Sequence, residues 1–223
     1  MKRVERTVTF SGFTIVSCGT LSPELNALWH SGFLDADKIL YTIAGLHENN
    51  NRLKQHLTRQ LYRARQYSDR VIVVYGDKCY INMATSPPQL VDDLIEAHET
   101  DARRIQAGNC VDMICAREER DRISGGDKVY WLTPGWLKYW KIIFQDWDHG
   151  KANETFPKND RAILLDAVDI YNEYAASCPE KLLEFSDWMG IPIVPHPVDL
   201  TRLKNLLSEV AGQYTEVVRS NAP

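Results

Sequence analysis

Four side chains of types that bind metals in proteins each follow a stretch that predicts a buried strand. In chain order they are Cys18, His47, Cys79 and Cys110. Because neighbouring parallel strands lie ~4.8 Å apart, side chains at their carboxyl ends are expected to come within reach of one ion. Thiolate sulfur and imidazole nitrogen are preferred zinc ligands, and thiolates also hold iron–sulfur clusters. The pattern predicts a zinc or iron–sulfur site built on the three cysteines, with His47 as the fourth ligand.

The same cysteines have a plainer interpretation as small core side chains. Free cysteine is among the most buried residue types, and none of these spacings has the C-x-x-C form of a metal-binding pair. On that interpretation the protein is a structural or regulatory module. Two further cysteines are expected to lie outside any site: Cys115 in the core beside Ile114, and Cys178 in a loop before Pro179.

The turn that carries Cys18 joins a predicted strand to a predicted helix. Residues 15–16 end an apolar run, and Ser22, Pro23 and Glu24 then have the types of an N-cap, a first helical residue and a first-turn acid. In a parallel α/β sheet such a turn lies at the carboxyl edge of the strands, where open α/β folds bind their ligands. The turn is therefore expected to present Cys18 at a binding edge.

The order of the predicted elements indicates an α/β fold. Up to about residue 150, apolar strands alternate with helices, including a single charged helix predicted over residues 111–123. Residues 71–75 are apolar on both faces and are expected to form a central strand, and residues 128–132 form a fifth strand. We predict a Rossmann-like three-layer domain with a mainly parallel sheet of four to six strands and helices on both faces.

The pattern changes after residue 150. Residues 162–174 and 180–189 are predicted to be helices without an intervening strand, so residues 150–190 are expected to form a helical insertion or extension. Since no clear linker or repeat divides the chain, we predict one α/β domain over residues 1–223.

An aromatic helix is the second feature that bears on function. Trp136, Trp140, Phe144 and Trp147 recur at spacings of four, four and three residues, which places them on one wide helical face. That face is expected either to pack in the core or a dimer interface, or to cover a flat cofactor or substrate pocket. Trp136 lies in the first turn, nearest the predicted metal edge, and is the member expected to line such a pocket.

Two polar residues beside the third strand complete the predicted pocket. Asp77 and Lys78 lie between that strand and Cys79, where they are expected to contact a cofactor or substrate. The chain has no G-x-G-x-x-G or Walker loop and no G-x-S-x-G elbow. Nucleotide-binding and serine-hydrolase functions therefore lack their motifs.

Composition and charge restrict the classes of function further. The 223 residues carry 26 Lys and Arg against 30 Asp and Glu, and this net charge of -4 argues against a general nucleic-acid or anionic-membrane surface. No window approaches the ~20 apolar residues of a transmembrane helix, and the charged N-terminal residues do not resemble a signal peptide. Five irregularly spaced cysteines are typical of free thiols. We expect a cytoplasmic protein that binds neither nucleic acid nor membranes.

Several short motifs occur in a fairly specific order: Ser17-Cys-Gly-Thr-Leu21 with Glu24-Leu25, Gly45-Leu-His47, Tyr75-Gly76 with Cys79, Asn109-Cys110 and Leu132-Thr-Pro-Gly-Trp136. Over about residues 12–210 they resemble the family catalogued as domain of unknown function 1638. That family has Tyr-Gly-Leu-Cys-Gly-Asn where this chain has its segment 75–82, and His-Asp-Cys where it has residues 108–110. Members are often encoded beside corrinoid-dependent methyltransferases, so the resemblance implies a role in one-carbon metabolism.

The motifs and the resemblance together favour a metal- or iron–sulfur-cluster-binding protein of one-carbon, methyl-transfer metabolism. Its expected partner is a corrinoid protein or a methyltransferase, through which it would meet a corrinoid. One alternative is a non-catalytic carrier or chaperone for a metal, a cluster or a corrinoid. The other is the structural or regulatory module, with the aromatic helix as a partner or homo-oligomer interface. Whether the protein is an enzyme stays open at this point.

Overall fold

The computed structural model describes residues 8–98 and 101–220, with side chains up to residue 214. Its strands are β1 (Phe13–Cys18), β2 (Lys38–Thr42), β3 (Arg70–Val74), β4 (Ile81–Asn82), β5 (Gln89–Leu90), β6 (Asp101–Arg104), β7 (Val129–Leu132), β8 (Arg161–Asp166) and β9 (Ile193–Pro197). Its α-helices are α1 (Ser22–His30), α2 (Asn50–Ala64), α3 (Val91–Glu96), α4 (Cys110–Ile114), α5 (Arg117–Ser124), α6 (Pro134–Ile143), α7 (His149–Thr155), α8 (Ile170–Ser177), α9 (Glu180–Met189) and α10 (Thr201–Ser220). Short 3-10 turns occupy Gly19–Leu21, Leu46–Glu48, Asp77–Cys79 and Phe156–Lys158.

Two parallel sheets form the framework. The first has the strand order β2-β1-β3-β6 and the second has the order β7-β8-β9, with parallel neighbours throughout. Strands β4 and β5 form a separate antiparallel pair. This arrangement confirms the predicted Rossmann-like α/β fold with a mainly parallel sheet.

Strand β3 is an interior strand, as predicted from its apolar sequence. It pairs with β1 on one side and with β6 on the other, and Val71, Ile72, Val73 and Val74 are fully buried. Since both faces of β3 are covered, the alternation of polar and apolar residues typical of a half-exposed strand is missing.

The prediction of a helix over residues 162–174 is wrong at its start, because residues 161–166 form β8, the central strand of the second sheet. Helix α8 begins only at Ile170. A short apolar run that is buried on both faces cannot be distinguished from a buried helix by periodicity alone. The segment 150–190 is therefore not purely helical, and β7, expected as a fifth strand, pairs with β8 instead of extending the first sheet.

The single helix predicted over residues 111–123 is two helices in the structure. Helix α4 ends at Ile114 and α5 begins at Arg117, because Cys115 adopts extended backbone angles, with φ −138° and ψ 126°. Cys115 is fully buried, which confirms its predicted place in the core.

The two sheets share one apolar cluster. Ile15 of β1 and Ile72 of β3 belong to the same buried cluster as Leu165 of β8 and Leu203 of α10. The hydroxyl of Tyr214 in α10 donates to the carbonyl of Val71 at 2.9 Å, so this helix is tied to the first sheet. None of the helices that the structure describes is long and apolar enough to cross a membrane.

Candidate thiol site at the sheet edge

Three cysteines lie at the carboxyl ends of three successive strands of the first sheet. Cys18 ends β1, Cys79 ends the turn after β3, and Cys110 begins α4 after β6. In the sheet these strands are neighbours in the order β1-β3-β6. All three cysteines are partly exposed, whereas Cys115 is fully buried. The edge cysteines pack against the core clusters and keep part of their surface exposed, whereas Cys115 lies inside the core.

Burial and the neighbouring thiols both raise the pKa of Cys79 and of Cys110. Burial raises the pKa of Cys110 to about 12; the indole of Trp136 opposes this rise, and the charge of Cys18 adds to it. The pKa of Cys79 is also raised, first by burial and then by the charges of Cys110 and Cys18. Burial is thus the main reason, and the neighbouring thiols a smaller one, that Cys79 and Cys110 are neutral at pH 7.

The three cysteines are suitable metal donors by type, but their arrangement does not form a metal-binding group. Three soft sulfur donors at one edge match the ligand preferences of zinc and iron–sulfur clusters. However, within residues 8–98 and 101–214 no group of three or more His, Cys, Asp or Glu side chains is arranged so that it could hold a metal ion. The metal site expected from the sequence therefore stays a prediction.

The turn after Cys18 is packed tightly between neighbouring elements. The Sγ atom of Cys18 lies 3.2 Å from Oγ1 of Thr20. A Cβ atom on Gly19 would lie 2.5 Å from the carbonyl oxygen of Thr42 at the end of β2. On the other side, a Cβ atom on Gly135 would lie 1.7 Å from the carbonyl oxygen of Thr20. Glycine at these two positions lets the Cys18 turn contact β2 and the start of α6.

A buried guanidinium group joins the loops that carry the other two cysteines. Arg104 forms a bidentate pair with Asp92, with N–O distances of 2.6 and 3.0 Å. It also donates to the carbonyl oxygens of Tyr75, Ile105 and Ala107. Arg104 thereby connects the end of β3, which leads to Cys79, with the loop that leads to Cys110.

The turn Asp77–Cys79 is held by the same loop. The backbone N–H of Asp77 donates to the carbonyl of Ala107 at 3.0 Å, and that of Lys78 donates to the carbonyl of Gly108 at 3.1 Å. The side chains of Asp77 and Lys78 are exposed. Their backbones position Cys79, and the cofactor contacts expected of their side chains stay a prediction.

Trp136 lies directly beside Cys110. Its Nε1–H donates to Sγ of Cys110 at 3.4 Å, and the residue is only 8% exposed. The other aromatic residues of this helical region pack away from the thiol: Trp140 stacks on Phe185 with a centroid distance of 5.1 Å, and Phe144 contacts Trp147. Among the aromatic residues of this helical region, Trp136 is thus the one that contacts an edge cysteine.

His47 contacts the ring of Trp136. The two ring centroids are 5.6 Å apart, and Nε2 of His47 is 3.6 Å from a carboxylate oxygen of Glu48. Burial lowers the pKa of His47, and the charge of Glu48 opposes that effect. In the described part of the chain, no hydrogen bond links His47 to Cys18, Cys79 or Cys110. Its role as a fourth ligand stays a prediction.

The structure also brings to this edge a carboxyl group whose importance the sequence analysis missed. Glu24 is completely buried in the first turn of α1, and neither of its carboxyl oxygens has a hydrogen-bond partner. Burial raises its pKa to about 8; its own backbone amide opposes the rise and the charge of Asp166 adds to it. Acidic residues are common in the first turn of a helix because they interact favourably with the helix dipole. The position of Glu24 therefore did not indicate that its side chain is buried. The available signal was its spacing from Leu21 and Leu28, which places Glu24 on the buried face of the helix.

Fold and site together define a Rossmann-like α/β protein with three cysteines at the carboxyl ends of adjacent strands in its larger parallel sheet. The family model described as Protein of unknown function (DUF1638) matches residues 41–207, which is more than half of the chain, and the protein belongs to that family. The matched region contains His47, Cys79, Cys110 and Trp136, while Cys18 precedes it. No curated protein and no solved structure matches the chain.

Proposed function

We propose that the protein binds a metal ion or an iron–sulfur cluster through the thiolates of Cys18, Cys79 and Cys110. The observation that carries this proposal is the position of three partly exposed cysteines at the carboxyl ends of the neighbouring strands β1, β3 and β6. Without a cation, burial raises the pKa of Cys79 and Cys110, so both thiols stay protonated. A bound cation would compensate the charges of the thiolates, so metal binding would release protons.

A bound metal would supply Lewis acidity at this edge, together with a position for a substrate thiol whose pKa it would lower. The residues of the chain have supporting roles in this proposal. Trp136 stabilises the Cys110 thiolate through its N–H, and Arg104 holds the loops that carry Cys79 and Cys110. The proposed setting is the one-carbon, methyl-transfer metabolism that the family resemblance implies, with a corrinoid protein or methyltransferase as the partner.

Metal analysis of protein purified without air tests the proposal. Iron, zinc and acid-labile sulfide are measured per chain, together with the visible absorption spectrum. We expect stoichiometric metal in the wild type and its loss in Cys18→Ala, Cys79→Ala and Cys110→Ala. Cys178→Ala is the matched control, because Cys178 is also partly exposed but lies in the loop between α8 and α9.

Circular dichroism confirms that each variant is folded before its metal content is compared. Equal metal content in all four variants, or a folded wild type that takes up neither zinc nor iron and sulfide, would contradict the proposal. Loaded protein that consumes methylcobalamin in the presence of a thiol acceptor would act as an enzyme. Loaded protein that only exchanges its metal with a partner would act as a carrier.

A further inference from the structure

Residues of α6, of α9 and of the segment that follows α6 line a surface cavity of about 480 Å³. Its volume falls within the ~300–1,000 Å³ of most small-molecule sites. Four aromatic side chains line it: Trp140, Phe144, Trp147 and Trp188. The three tryptophans are half-buried, so each ring keeps an accessible surface. The edge cysteines do not belong to this lining, so the cavity, which we call the tryptophan cavity, is separate from the thiol site.

Trp188 is the ring that joins the aromatic lining together. Its centroid lies 5.2 Å from that of Trp140, 4.9 Å from that of Phe144 and 6.4 Å from that of Trp147. The ring of Trp188 is inclined to these three rings by 38°, 38° and 44° respectively. Because the inclined rings line a cavity, they form a concave surface. Such a surface suits a compact, rounded group better than a flat ring.

The aromatic rings of the cavity already attract cations of the protein itself. Nζ of Lys151 lies 4.1 Å from the ring centroid of Trp147, and Nζ of Lys141 lies 5.4 Å from that of Trp140. Both distances are within the ~6 Å over which a cation is attracted to the face of an aromatic ring. Both lysine contacts fall on rings that flank Trp188. The chain's own ammonium groups therefore indicate the chemistry that this lining favours.

The charged residues of the lining leave one carboxylate without a counter-charge. Lys141 is paired with Glu184 at 2.6 Å. Asp187 is exposed, and within the described part of the chain its side chain has no ion pair or hydrogen bond. Asp187 also lies in the last turn of α9, which contains no basic residue. The carboxyl end of a helix carries partial negative charge and is stabilised by cations, so this end of the cavity lacks a positive charge.

We propose that the tryptophan cavity binds a small quaternary ammonium compound. A trimethylammonium group is compact, rounded and positively charged, so it matches the concave rings around Trp188 and the charge of Asp187. It has no N–H donors and needs ring faces instead of hydrogen-bond acceptors. A primary ammonium or a guanidinium group would require acceptors for its N–H donors, and Glu184 is already paired with Lys141. This inference does not depend on metal binding by the thiols.

Isothermal titration calorimetry with choline tests this proposal. The comparison ligand is the neutral carbon isostere of choline, in which a tert-butyl group replaces the trimethylammonium group. The two ligands have nearly the same shape and differ in charge. We expect the protein to bind choline about tenfold more tightly than the isostere, because the ring faces and Asp187 favour the cation.

Substitution of Asp187 separates the local charge from the general charge of the protein. Asp187→Asn should weaken choline binding roughly three- to fivefold, because an exposed carboxylate contributes modestly to binding a cation. Binding of the neutral isostere should not change. Asp69→Asn is the matched control, since Asp69 is an exposed acid between α2 and β3 that does not line the cavity. It should change choline binding less than twofold.

Two further variants test the rings. Trp188→Leu should abolish choline binding while a thermal unfolding transition shows that the protein is folded. Lys151→Ala keeps the aromatic cluster intact and removes the ammonium group that lies over Trp147. It should therefore strengthen choline binding, because a competing cation has been removed. This opposite effect is not expected from a substitution that only disturbs the fold.

Several outcomes would overturn the proposal. Equal affinity for choline and its isostere would mean that the cavity is merely apolar. Equal weakening by Asp187→Asn and Asp69→Asn would mean that only the net charge matters. Tighter binding of methylguanidinium than of choline would assign the cavity to an arginine side chain of a partner protein instead. A folded wild type that binds no choline at millimolar concentrations would refute the proposal and leave the thiol site unaffected.

Discussion

The indole Nε1–H of Trp136 and the thiol of Cys110 form a hydrogen bond of 3.4 Å between residues that are 26 positions apart in the chain. This contact joins the start of α6 to the start of α4, so the aromatic helix reaches the cysteine edge through its first turn. The hydrogen bond lowers the pKa of Cys110 against the opposing effect of burial. An N–H donor to sulfur favours the thiolate because it stabilises the charged form.

Replacing Trp136 with phenylalanine removes this donor and keeps most of the ring. We expect the pKa of Cys110 to rise further and zinc binding to weaken, because the thiolate loses its N–H partner. The tryptophan fluorescence change that accompanies metal titration should largely disappear in Trp136→Phe. Trp147→Phe is the control, since Trp147 packs on Phe144 away from the thiol. A response that persists in Trp136→Phe and vanishes in Trp147→Phe would contradict the assignment.

The buried acid Glu24 predicts a pH dependence of stability in the metal-free protein. Its pKa is raised from the ordinary value of 4.5 to about 8, first of all by burial. Between these values the folded protein keeps a proton that the unfolded chain has released, so stability falls as the pH rises from 4.5 to 8. The loss is on the order of 5 kcal/mol for a fully buried group.

Urea unfolding of wild type and Glu24→Gln at pH 5 and pH 8 measures this effect. The glutamine variant lacks the titrating group, so its stability relative to the wild type should increase over this interval. The comparison cancels the contributions of other titrating residues. Parallel stability curves for the two proteins would show that Glu24 titrates normally.

The raised thiol pKa values predict slow alkylation of the metal-free protein. Burial raises the pKa of Cys110 to about 12, so its thiolate fraction at pH 7 is roughly a thousandfold below that of an ordinary thiol. We expect iodoacetamide to label Cys79 and Cys110 at least a hundredfold more slowly in the folded protein than in urea. Peptide mass spectrometry over time gives the rate for each residue. Labelling of Cys110 at equal rates in both states would contradict the raised pKa.

The contact between Gly135 and Thr20 predicts a position where even one methyl group is not tolerated. A Cβ atom at residue 135 would lie 1.7 Å from a backbone carbonyl oxygen, which cannot move aside as a flexible side chain could. We expect Gly135→Ala to destabilise the protein by roughly 1–3 kcal/mol or more and to weaken metal binding, because α6 is displaced from the Cys18 turn.

Gly212→Ala is the matched control for this substitution. Gly212 lies within α10, and a Cβ atom there would meet nothing within 4 Å. Alanine in a helix is more favourable than glycine by ~0.5–1 kcal/mol, so Gly212→Ala should be neutral or stabilising. If both variants had the same stability, the close packing of α6 on the Cys18 turn would be wrong. Chemical unfolding of the two proteins provides the comparison.

The sequence by itself determined those features that depend on neighbours along the chain. The apolar run of β1, followed by Cys18 and by Ser22 and Pro23, predicts a strand, a turn and a helix, because each step follows from local backbone preferences. The apolar run of β3 likewise predicts an interior strand of a parallel sheet. The positions of Cys18, Cys79 and Cys110 after successive predicted strands therefore place them at one edge of the sheet without any knowledge of tertiary contacts.

Only the tertiary structure decided features that depend on distant partners. Residues 161–166 form a strand because β7 and β9 pair with them, and an apolar run alone does not distinguish that outcome from a buried helix. Trp136 forms its hydrogen bond with Cys110 because α6 packs on the Cys18 turn. Glu24 has the local sequence of an ordinary first-turn acid and becomes a buried, unpartnered group only once the fold excludes water from it. Local sequence specifies backbone preference, whereas burial and pairing depend on segments far apart in the chain.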